Sequence, residues 1–248
     1  MVKSENKINI ILTNESFEKG FSKLNKDGIK LSHFPMIKTK PVEQEINLFD
    51  IDCVIFTSKN GVKYFFKNKQ IIDSKLDDKF FICIGKKTAQ KLKEMGFDTS
   101  YVCKRNYSKF MAEEIKQNEV LSNKKCLLVQ GSLSDNSLLN SLSSFSNTQK
   151  GVFYKTELIK NKYSELEKII QNNDPYIIFT SPSSFDSFSN LYDPKKVKIV
   201  SIGNTTSSHI SEKGFDTALT SGMQSFEGIS ESLIAFLKEN KEYELSEN

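Results

Sequence analysis

The chain has 248 residues, of which 38% are hydrophobic and 27% charged, with a formal net charge of +4. This length suffices for one large domain or two of ordinary size, each with its own core. The longest apolar runs have the length of strands and fall far short of the ~20 residues that span a bilayer. The N-terminus lacks the apolar region of a secretory signal, and the small net charge gives no reason to expect nucleic-acid binding. We therefore expect a cytoplasmic protein with no membrane or nucleic-acid partner.

Residues typical of metal sites, and arginines for anion binding, are scarce. The four cysteines lie in or beside apolar runs without Cys-x-x-Cys spacing, which favours buried reduced thiols over metal ligands or disulfides. They are Cys53, Cys83, Cys103 and Cys126. His33 and His209 are the only histidines, so we expect no metal site and no Ser-His-Asp triad. Arg105 is the only arginine, so an anionic ligand has to be held by lysines, hydroxyl groups and backbone N–H groups.

The predicted elements alternate between short strands rich in Val, Ile and Phe and helical stretches, which is typical of parallel sheets covered on both faces. The chain begins with a single β-α unit over residues 8–32, which needs a sheet to join. Further strands are predicted at residues 99–103, 125–130, 152–157 and 216–220. The Ser/Asn-rich residues 141–148 predict a loop. The last helix is predicted over residues 225–238, with Ser225 as its N-cap.

Two segments of the chain occur twice. Residues 52–61 and 176–185 read DCVIFTSKNG and YIIFTSPSSF, and residues 82–99 and 200–217 read ICIGKKTAQKLKEMGFDT and VSIGNTTSSHISEKGFDT. In the second pair the matches fall in register, and Gly96 and Gly214 fit the left-handed position that ends a helix. The sequence therefore predicts a duplicated strand-turn-helix unit, with an active site in the cleft where the copies face each other.

The boundaries of the two copies do not divide the chain in the middle. We expect the N-terminal β-α unit to join the second copy, which gives a discontinuous domain of residues 1–34 and 161–248. The first copy then forms an inserted domain of residues 42–149. Residues 35–41 and 150–160 look extended and are predicted to be connector strands between the domains.

Four turns are candidate ligand-binding positions, because parallel sheets bind ligands beyond the carboxyl ends of their strands, where helix N-termini expose N–H groups. They lie at residues 57–61, 85–88, 180–184 and 203–206 and are rich in Gly, Ser and Thr. Alternatively, their hydroxyl groups only cap helices. Dinucleotide and Walker phosphate motifs are missing, and the turns contain no paired carboxylates. A large polyanionic ligand fits better than a nucleotide.

Tyr154 is the candidate for proton transfer. It lies in the extended segment 150–160, and if this segment lines the cleft, the phenol faces the ligand. A phenol with an ordinary pKa of ~10 is protonated at pH 7 and able to donate a proton to a leaving hydroxyl group. The alternative is a tyrosine that packs in a strand with its hydroxyl group at the surface.

Five motifs, in their order and spacing, resemble the uroporphyrinogen-III synthase family. They are Phe-Thr-Ser-x-Asn-Gly-Val, Ile-Gly-x-x-Thr-Ala, Tyr-Lys-Thr, Phe-Thr-Ser-Pro-Ser-Ser and Ile-Gly-x-Thr-Thr, starting at Phe56, Ile84, Tyr154, Phe179 and Ile202. The resemblance covers residues 8 to about 237. It implies an α/β fold with two flavodoxin-like parallel-sheet domains joined by a two-stranded connector. It also implies a cyclising hydro-lyase of heme biosynthesis without cofactor, which closes linear hydroxymethylbilane to uroporphyrinogen III with ring D inverted.

The resemblance assigns Tyr154 to the departure of the hydroxyl group and a set of turn residues to substrate binding. That set is Thr13, Ser58, Asn60, Gly85, Lys86, Thr88, Ser181, Ser183, Ser184, Gly203, Thr205 and Thr206. The chain departs from the family at Asn14 and Gln130, near which arginines are common. Because the substrate carries eight carboxylates, which need cations, lysines are expected to replace the missing arginines. The candidates are Lys59, Lys86, Lys87 and Lys155.

Two further expectations concern the protein in its pathway. We expect a monomer that receives its linear tetrapyrrole substrate by handover from hydroxymethylbilane synthase. The alternative function is a non-catalytic two-domain protein that binds a tetrapyrrole or another polyanion in the same cleft.

Overall fold

This computed structural model describes residues 7–72, 75–104 and 108–240, so that Arg105 lies outside the described residues. The chain has a mixed α/β fold with two separate sheets dominated by parallel pairs, which confirms the expected fold class. Among the helices that the structure describes, none is long and apolar enough to cross a membrane.

Strands and helices alternate along most of the chain. The strands are β1 (Ile8–Leu12), β2 (Ile29–His33), β3 (Ile37–Pro41), β4 (Cys53–Phe56), β5 (Phe80–Ile84), β6 (Tyr101–Cys103), β7 (Lys125–Gly131), β8 (Asn147–Leu158), β9 (Tyr176–Phe179), β10 (Lys198–Ser201) and β11 (Leu219–Thr220). The α-helices are α1 (Lys59–Phe65), α2 (Lys69–Ile72), α3 (Lys86–Glu94), α4 (Ser108–Gln117), α5 (Ser137–Ser143), α6 (Ser164–Asn172), α7 (Pro182–Ser189), α8 (Asn204–Glu212) and α9 (Phe226–Glu239). Short 3₁₀ helices span Lys19–Leu24, Leu48–Asp50 and Pro194–Lys196.

The chain divides into two compact units. The first unit comprises the described residues up to Lys38 and from Glu157 onward. Its sheet has the order β11-β10-β9-β1-β2, with parallel pairing throughout. The strand β1 lies between β9 and β2, so the N-terminal strand completes the sheet of the second sequence copy. Strand β9 is buried along its whole length, as expected for a parallel strand with helices on both faces.

The second unit is Thr39–Thr156, and its sheet has the order β3-β8-β7-β4-β5-β6. Strands β8, β7, β4, β5 and β6 pair in parallel. Strand β3 runs antiparallel to β8, since the Val42 N–H donates to Phe153 O and the Ile159 N–H donates to Met36 O. The chain therefore passes from one unit to the other within these two strands.

Each sheet has a hydrophobic core cluster on both faces. In the second unit, alternate side chains of β4 point to opposite faces, as the pleat of a strand requires. Val54 and Phe56 belong to one cluster and Cys53 and Ile55 to the other. The first unit likewise has two clusters, which contain Ile177 and Ile178 of β9 respectively.

Several local predictions are confirmed, and one is wrong. Gly96 and Gly214 have φ values of +91° and +83°, and Ser225 caps α9 by accepting a hydrogen bond from the Gly228 N–H. The predicted loop over residues 141–148 is wrong, because α5 extends to Ser143 and β8 begins at Asn147. The buried Leu138 and Leu142 are one helical turn apart, and their burial holds this Ser-rich segment in a helix.

Candidate functional site

The carboxyl edge of the second unit's sheet carries two helix starts. Helix α1 follows β4, and its N-cap Ser58 accepts a hydrogen bond of 3.0 Å from the Gly61 N–H. Asn60 is the second residue of this helix and is half-buried. Helix α3 follows β5 after Gly85, whose φ of +77° lies in the region that favours glycine. Because β4 and β5 are parallel neighbours, both helix starts lie at the same edge of the sheet.

Tyr154 reaches this edge from β8. An irregularity in the pairing of β7 with β8 follows Gln130 and places Gly131 beside Tyr154. The Tyr154 Oη lies 3.2 Å from the Ser58 Oγ, so the candidate acid and the N-cap of α1 are in hydrogen-bond contact. Glycine is required at position 131, since an added Cβ would lie 2.5 Å from ring atoms of Tyr154.

Tyr64 is a member of this site that the sequence analysis missed. Its ring stacks on the ring of Tyr154 with a centroid distance of 5.5 Å and an interplanar angle of 24°. Its hydroxyl group donates a hydrogen bond of 2.8 Å to Thr39 O on β3. The spacing of six residues from Ser58 places Tyr64 near the end of α1, but no sequence pattern relates that helix to β8.

Three lysines lie in the first turns of these two helices. Lys59 is the first residue of α1, and Lys86 and Lys87 are the first two residues of α3. Lys59 is partly exposed, whereas Lys86 and Lys87 are exposed. A cation in the first turn opposes the helix dipole, so these positions are unfavourable for helix stability. Their placement therefore favours a role in binding an anion.

The first unit repeats the helix starts without the lysines. After β9, Ser181 and Ser184 form a capping box at the start of α7, in which each side chain accepts a backbone N–H of the other residue. The Ser183 Oγ lies 3.1 Å from the Ser181 Oγ. Ser184 is fully buried and also donates to Ser181 O at 2.7 Å. The hydroxyl groups of Ser181 and Ser184 thus do cap this helix, and Ser183 is half-buried.

The turn after β10 matches the turn after β5. Gly203 precedes α8 as Gly85 precedes α3, and Thr205 is the exposed second residue of α8. Thr206 and Thr88 are both the third residue of their helix, and their exposed fractions are 3% and 4%. The duplication of the sequence is therefore a duplication of two helix starts at a sheet edge.

Three buried polar residues lie at the ends of central strands. Thr13 and Asn14 follow β1, and Gln130 is near the end of β7. Thr13 is fully buried and donates a hydrogen bond of 2.7 Å to Ile178 O, which favours a structural role in the first unit. The side-chain oxygens of Asn14 and Gln130 are buried and have no hydrogen-bond partner within the described part of the chain. A buried acceptor without a donor costs roughly 1–3 kcal/mol. These are the two positions near which the resemblance implies arginines.

The structure brings the predicted site residues together within each unit. In the second unit, Tyr154 and Ser58 are in contact, and Asn60, Gly85, Lys86 and Thr88 belong to the two helix starts at the same sheet edge. In the first unit, Ser181, Ser183, Ser184, Gly203, Thr205 and Thr206 belong to the starts of α7 and α8. Because β9 and β10 are parallel neighbours, these two starts share an edge as well.

Comparisons with known proteins agree with this arrangement. A family model described as uroporphyrinogen-III synthase HemD matches residues 21–231 of the chain. No curated protein matches the chain significantly by sequence. The crystal structure of uroporphyrinogen-III synthetase from Helicobacter pylori matches with a TM-score of 0.72 and 20% identity, over 92% of this chain and 99% of that chain. A mutant uroporphyrinogen III synthase from Thermus thermophilus matches with a TM-score of 0.61 and 17% identity, over 94% of this chain and 99% of that chain. At these identities the likeness to both structures concerns the fold.

Proposed function

The chain belongs to the uroporphyrinogen-III synthase family, and we propose that Tyr154 supplies the proton for the reaction of this family. The family makes the chain an enzyme, a cyclising lyase that acts on a linear tetrapyrrole. The observation that carries the proposal is the 3.2 Å contact between the Tyr154 Oη and the Ser58 Oγ at the carboxyl edge of the sheet.

In the proposed reaction, Ser58 is the hydrogen-bond partner that supports the phenol of Tyr154 as it gives up its proton. The Ser58 Oγ already accepts the Gly61 N–H, so its own hydrogen is available to the Tyr154 Oη. We propose that the Tyr154 O–H donates its proton to the hydroxymethyl group of the substrate. As the carbon–oxygen bond breaks, the phenol proton goes to the departing oxygen and water leaves, while Ser58 stabilises the phenolate that forms.

The remaining steps need positioning and the return of one proton. The cationic azafulvene is attacked by the substituted carbon of ring D, and the spiro intermediate fragments and recloses as isomer III. When the macrocycle recloses, the ring D carbon that forms the new bond loses its proton, and the pyrrole recovers its aromaticity. This proton goes to the phenolate and restores the phenol of Tyr154. Since only proton transfer and placement are required, the proposed reaction is independent of metals and cofactors.

Substrate binding is proposed for the helix starts of both units. Lys59, Lys86 and Lys87 provide cations for the substrate carboxylates in the second unit, together with Lys155 of β8. The first unit provides hydroxyl and backbone N–H groups at its two helix starts, with Ser183 and Thr205 as accessible members. The contribution of Thr13, whose hydroxyl group is buried, stays a prediction of the resemblance. The cytoplasmic location, the monomeric state and the handover from hydroxymethylbilane synthase stay expectations from the sequence.

The test is a Tyr154→Phe variant supplied with freshly made hydroxymethylbilane, with isomers I and III separated by chromatography. We expect formation of isomer III to slow by about 10²-fold, because a positioned general acid contributes about that much. Tyr101→Phe is the matched control, since it also removes a hydrogen-bonded phenol of the second unit, at 3.0 Å from Glu114. This control is expected to keep the wild-type rate.

Two outcomes would contradict the proposal at different levels. An unchanged rate in a folded Tyr154→Phe protein would remove Tyr154 from the mechanism. If the wild-type protein gave only isomer I at the spontaneous rate, the non-catalytic alternative would replace the enzyme. No observation on this structure favours that alternative over the enzyme.

A further inference from the structure

The ring of Tyr154 has two close neighbours besides Ser58. Gly131 leaves so little room that a Cβ there would lie 2.9 Å from the phenol oxygen and closer still to the ring. Tyr64 covers a face of the ring by stacking. A tyrosine side chain turns about two bonds, so a backbone contact and a stacked ring together restrict the direction of its O–H group.

Tyr64 is itself held in place. It is only 5% exposed and belongs to a core cluster of the second unit. Its hydroxyl group lies 2.8 Å from Thr39 O and 2.9 Å from Thr39 Oγ1, and the Lys63 Nζ lies 4.9 Å from the centre of its ring. Because Thr39 is on β3, which neighbours β8, Tyr64 links α1 to the strand pair that carries Tyr154.

We infer that Tyr64 is a positioning residue, which holds the Tyr154 phenol in the orientation from which it donates its proton. This inference rests on the proposed role of Tyr154. Tyr64 acts through Tyr154 and not on the substrate, so its loss lowers kcat and leaves KM nearly unchanged. The stacked ring is the part that matters, and the hydroxyl group of Tyr64 only anchors that ring to Thr39.

The first test is a double-mutant cycle with Tyr64→Leu and Tyr154→Phe, measured as kcat and KM for isomer III. We expect Tyr64→Leu to lower kcat about 10-fold, because misplacement of a reacting group by about 1 Å has effects of this size or larger. Tyr64→Phe keeps the ring and is expected to stay within about 3-fold of the wild type. In the Tyr154→Phe background, Tyr64→Leu is expected to change kcat less than about 2-fold, because the group on which it acts is gone.

A control separates positioning from loss of core packing. Phe97→Leu removes a stacked ring that packs against the same core cluster, since Phe97 stacks on Phe66 at 5.0 Å and 22°. This variant is expected to lose thermal stability as Tyr64→Leu does, with kcat unchanged. If Tyr64→Leu does not fold, Tyr64→Met replaces it in the cycle, because its unbranched side chain fills the space more readily and still removes the stacked ring.

The second test observes the ring without the reaction. In protein with ¹³C-labelled tyrosine rings, the Tyr154 signal is assigned from its absence in Tyr154→Phe. We expect Tyr64→Leu to shift and average this signal and Tyr64→Phe to preserve it.

Failure of the inference can be told apart from failure of the proposed function. Equal losses of kcat from Tyr64→Leu in both backgrounds, or a Tyr154 ring signal that Tyr64→Leu leaves unchanged, would overturn the positioning role. A Tyr154→Phe variant with the wild-type rate would instead refute the acid, and the ring signal alone would then decide whether Tyr64 orients Tyr154.

Discussion

Cys53 and Cys126 are far apart in the sequence but lie side by side on the neighbouring strands β4 and β7. All four cysteines are free and fully buried, which confirms the prediction that they are buried. The hydrogen bond between Cys53 and Cys126 raises the pKa of the Cys53 thiol, and burial raises it further. Cys83 lies on the other face of the sheet, and burial raises its pKa from 9.0 to about 11, although a hydrogen bond from Thr99 lowers it.

These shifted thiols predict a loss of stability in alkali. The folded pKa of Cys83 is above its ordinary value, so its contribution is fully present below pH 9 and is lost as the pH rises toward 11. One such thiol changes the free energy of unfolding by at most about 1.4 kcal/mol per pH unit in that window. We expect the stability of Cys83→Ala, measured by urea unfolding between pH 7 and 10, to fall less steeply than that of the wild type above pH 9.

The control for this prediction is a change without a titrating group. Ile82→Val on the same strand removes one methylene group from the core and is expected to keep the wild-type dependence on pH. The thiol explanation fails if Cys83→Ala and Ile82→Val lose stability with the same slope.

At the scale of single residues, the sequence identifies candidate residues for the site but not the contacts between them. Tyr154 and Ser58 could be proposed because each lies in a recognisable motif. Tyr64 and Gly131 could not, because their contacts with Tyr154 depend on β8 pairing with β7 and on α1 packing beside both. The pairing of Cys53 with Cys126 could not be predicted for the same reason, since β4 and β7 are neighbours in the sheet but not consecutive in the sequence.

Among the elements, the two sequence copies differ most in the charge of their helix starts. Lys59, Lys86 and Lys87 of the second unit correspond to Pro182, Asn204 and Thr205 of the first unit, which carry no charge. The duplicated turns therefore have different parts in the proposed function. The second unit attracts the carboxylates of the substrate, and the first unit offers hydrogen bonds without charge.

Helix α3 allows this division to be tested within one element. We expect the double variant Lys86→Gln/Lys87→Gln to raise KM about 10-fold, with kcat within about 2-fold, because it removes two cations from the first turn. The dependence of kcat/KM on salt should weaken at the same time, since fewer charges remain to be screened. Steady-state kinetics at several salt concentrations measure both effects.

The matched control uses the other end of the same helix. Lys91→Gln/Lys93→Gln removes the same charge from the last turn, where Lys91 pairs with Glu94 at 2.9 Å. Its KM is expected to stay at the wild-type value. The helix dipole predicts opposite effects on stability, a gain of a few tenths of a kcal/mol for the first-turn pair and a loss for the last-turn pair. Equal changes of KM in the two variants would show that only net charge matters.

Element boundaries were predictable where a cap or an apolar period marks them. Ser225 and the two helix-ending glycines are examples. The composition of residues 141–148, rich in Ser and Asn, predicts a loop, whereas residues 141–143 continue the helix α5 that begins at Ser137. The N-terminal unit has a 3₁₀ helix over Lys19–Leu24 where an α-helix was expected. Such short segments take their structure from the core they pack against, which local sequence does not reveal.

Across the whole molecule, the second unit is inserted into the first, and the chain crosses between them within β3 and β8. Each unit has its own sheet and its own two core clusters, and among the described residues each of the four clusters belongs to one unit. The duplication in the sequence predicts this arrangement, because each copy carries the strands and apolar helix faces of a complete layered core.

Because the core clusters of the two units are separate, we expect a cavity in one core to destabilise mainly the unit that contains it. Phe65 is fully buried in the core of the second unit, and Phe185 is fully buried in the core of the first unit. Phe65→Ala and Phe185→Ala are each expected to cost about 3–5 kcal/mol by leaving a cavity. In native-state hydrogen exchange, Phe65→Ala should lower the protection of β4 and β7 but not of β1 and β9, and Phe185→Ala should do the reverse. Each variant thus serves as the control for the other. If either variant lowered protection equally in both sheets, the units would unfold as one cooperative body, and stabilisation that spans them would have to be added to the four cores.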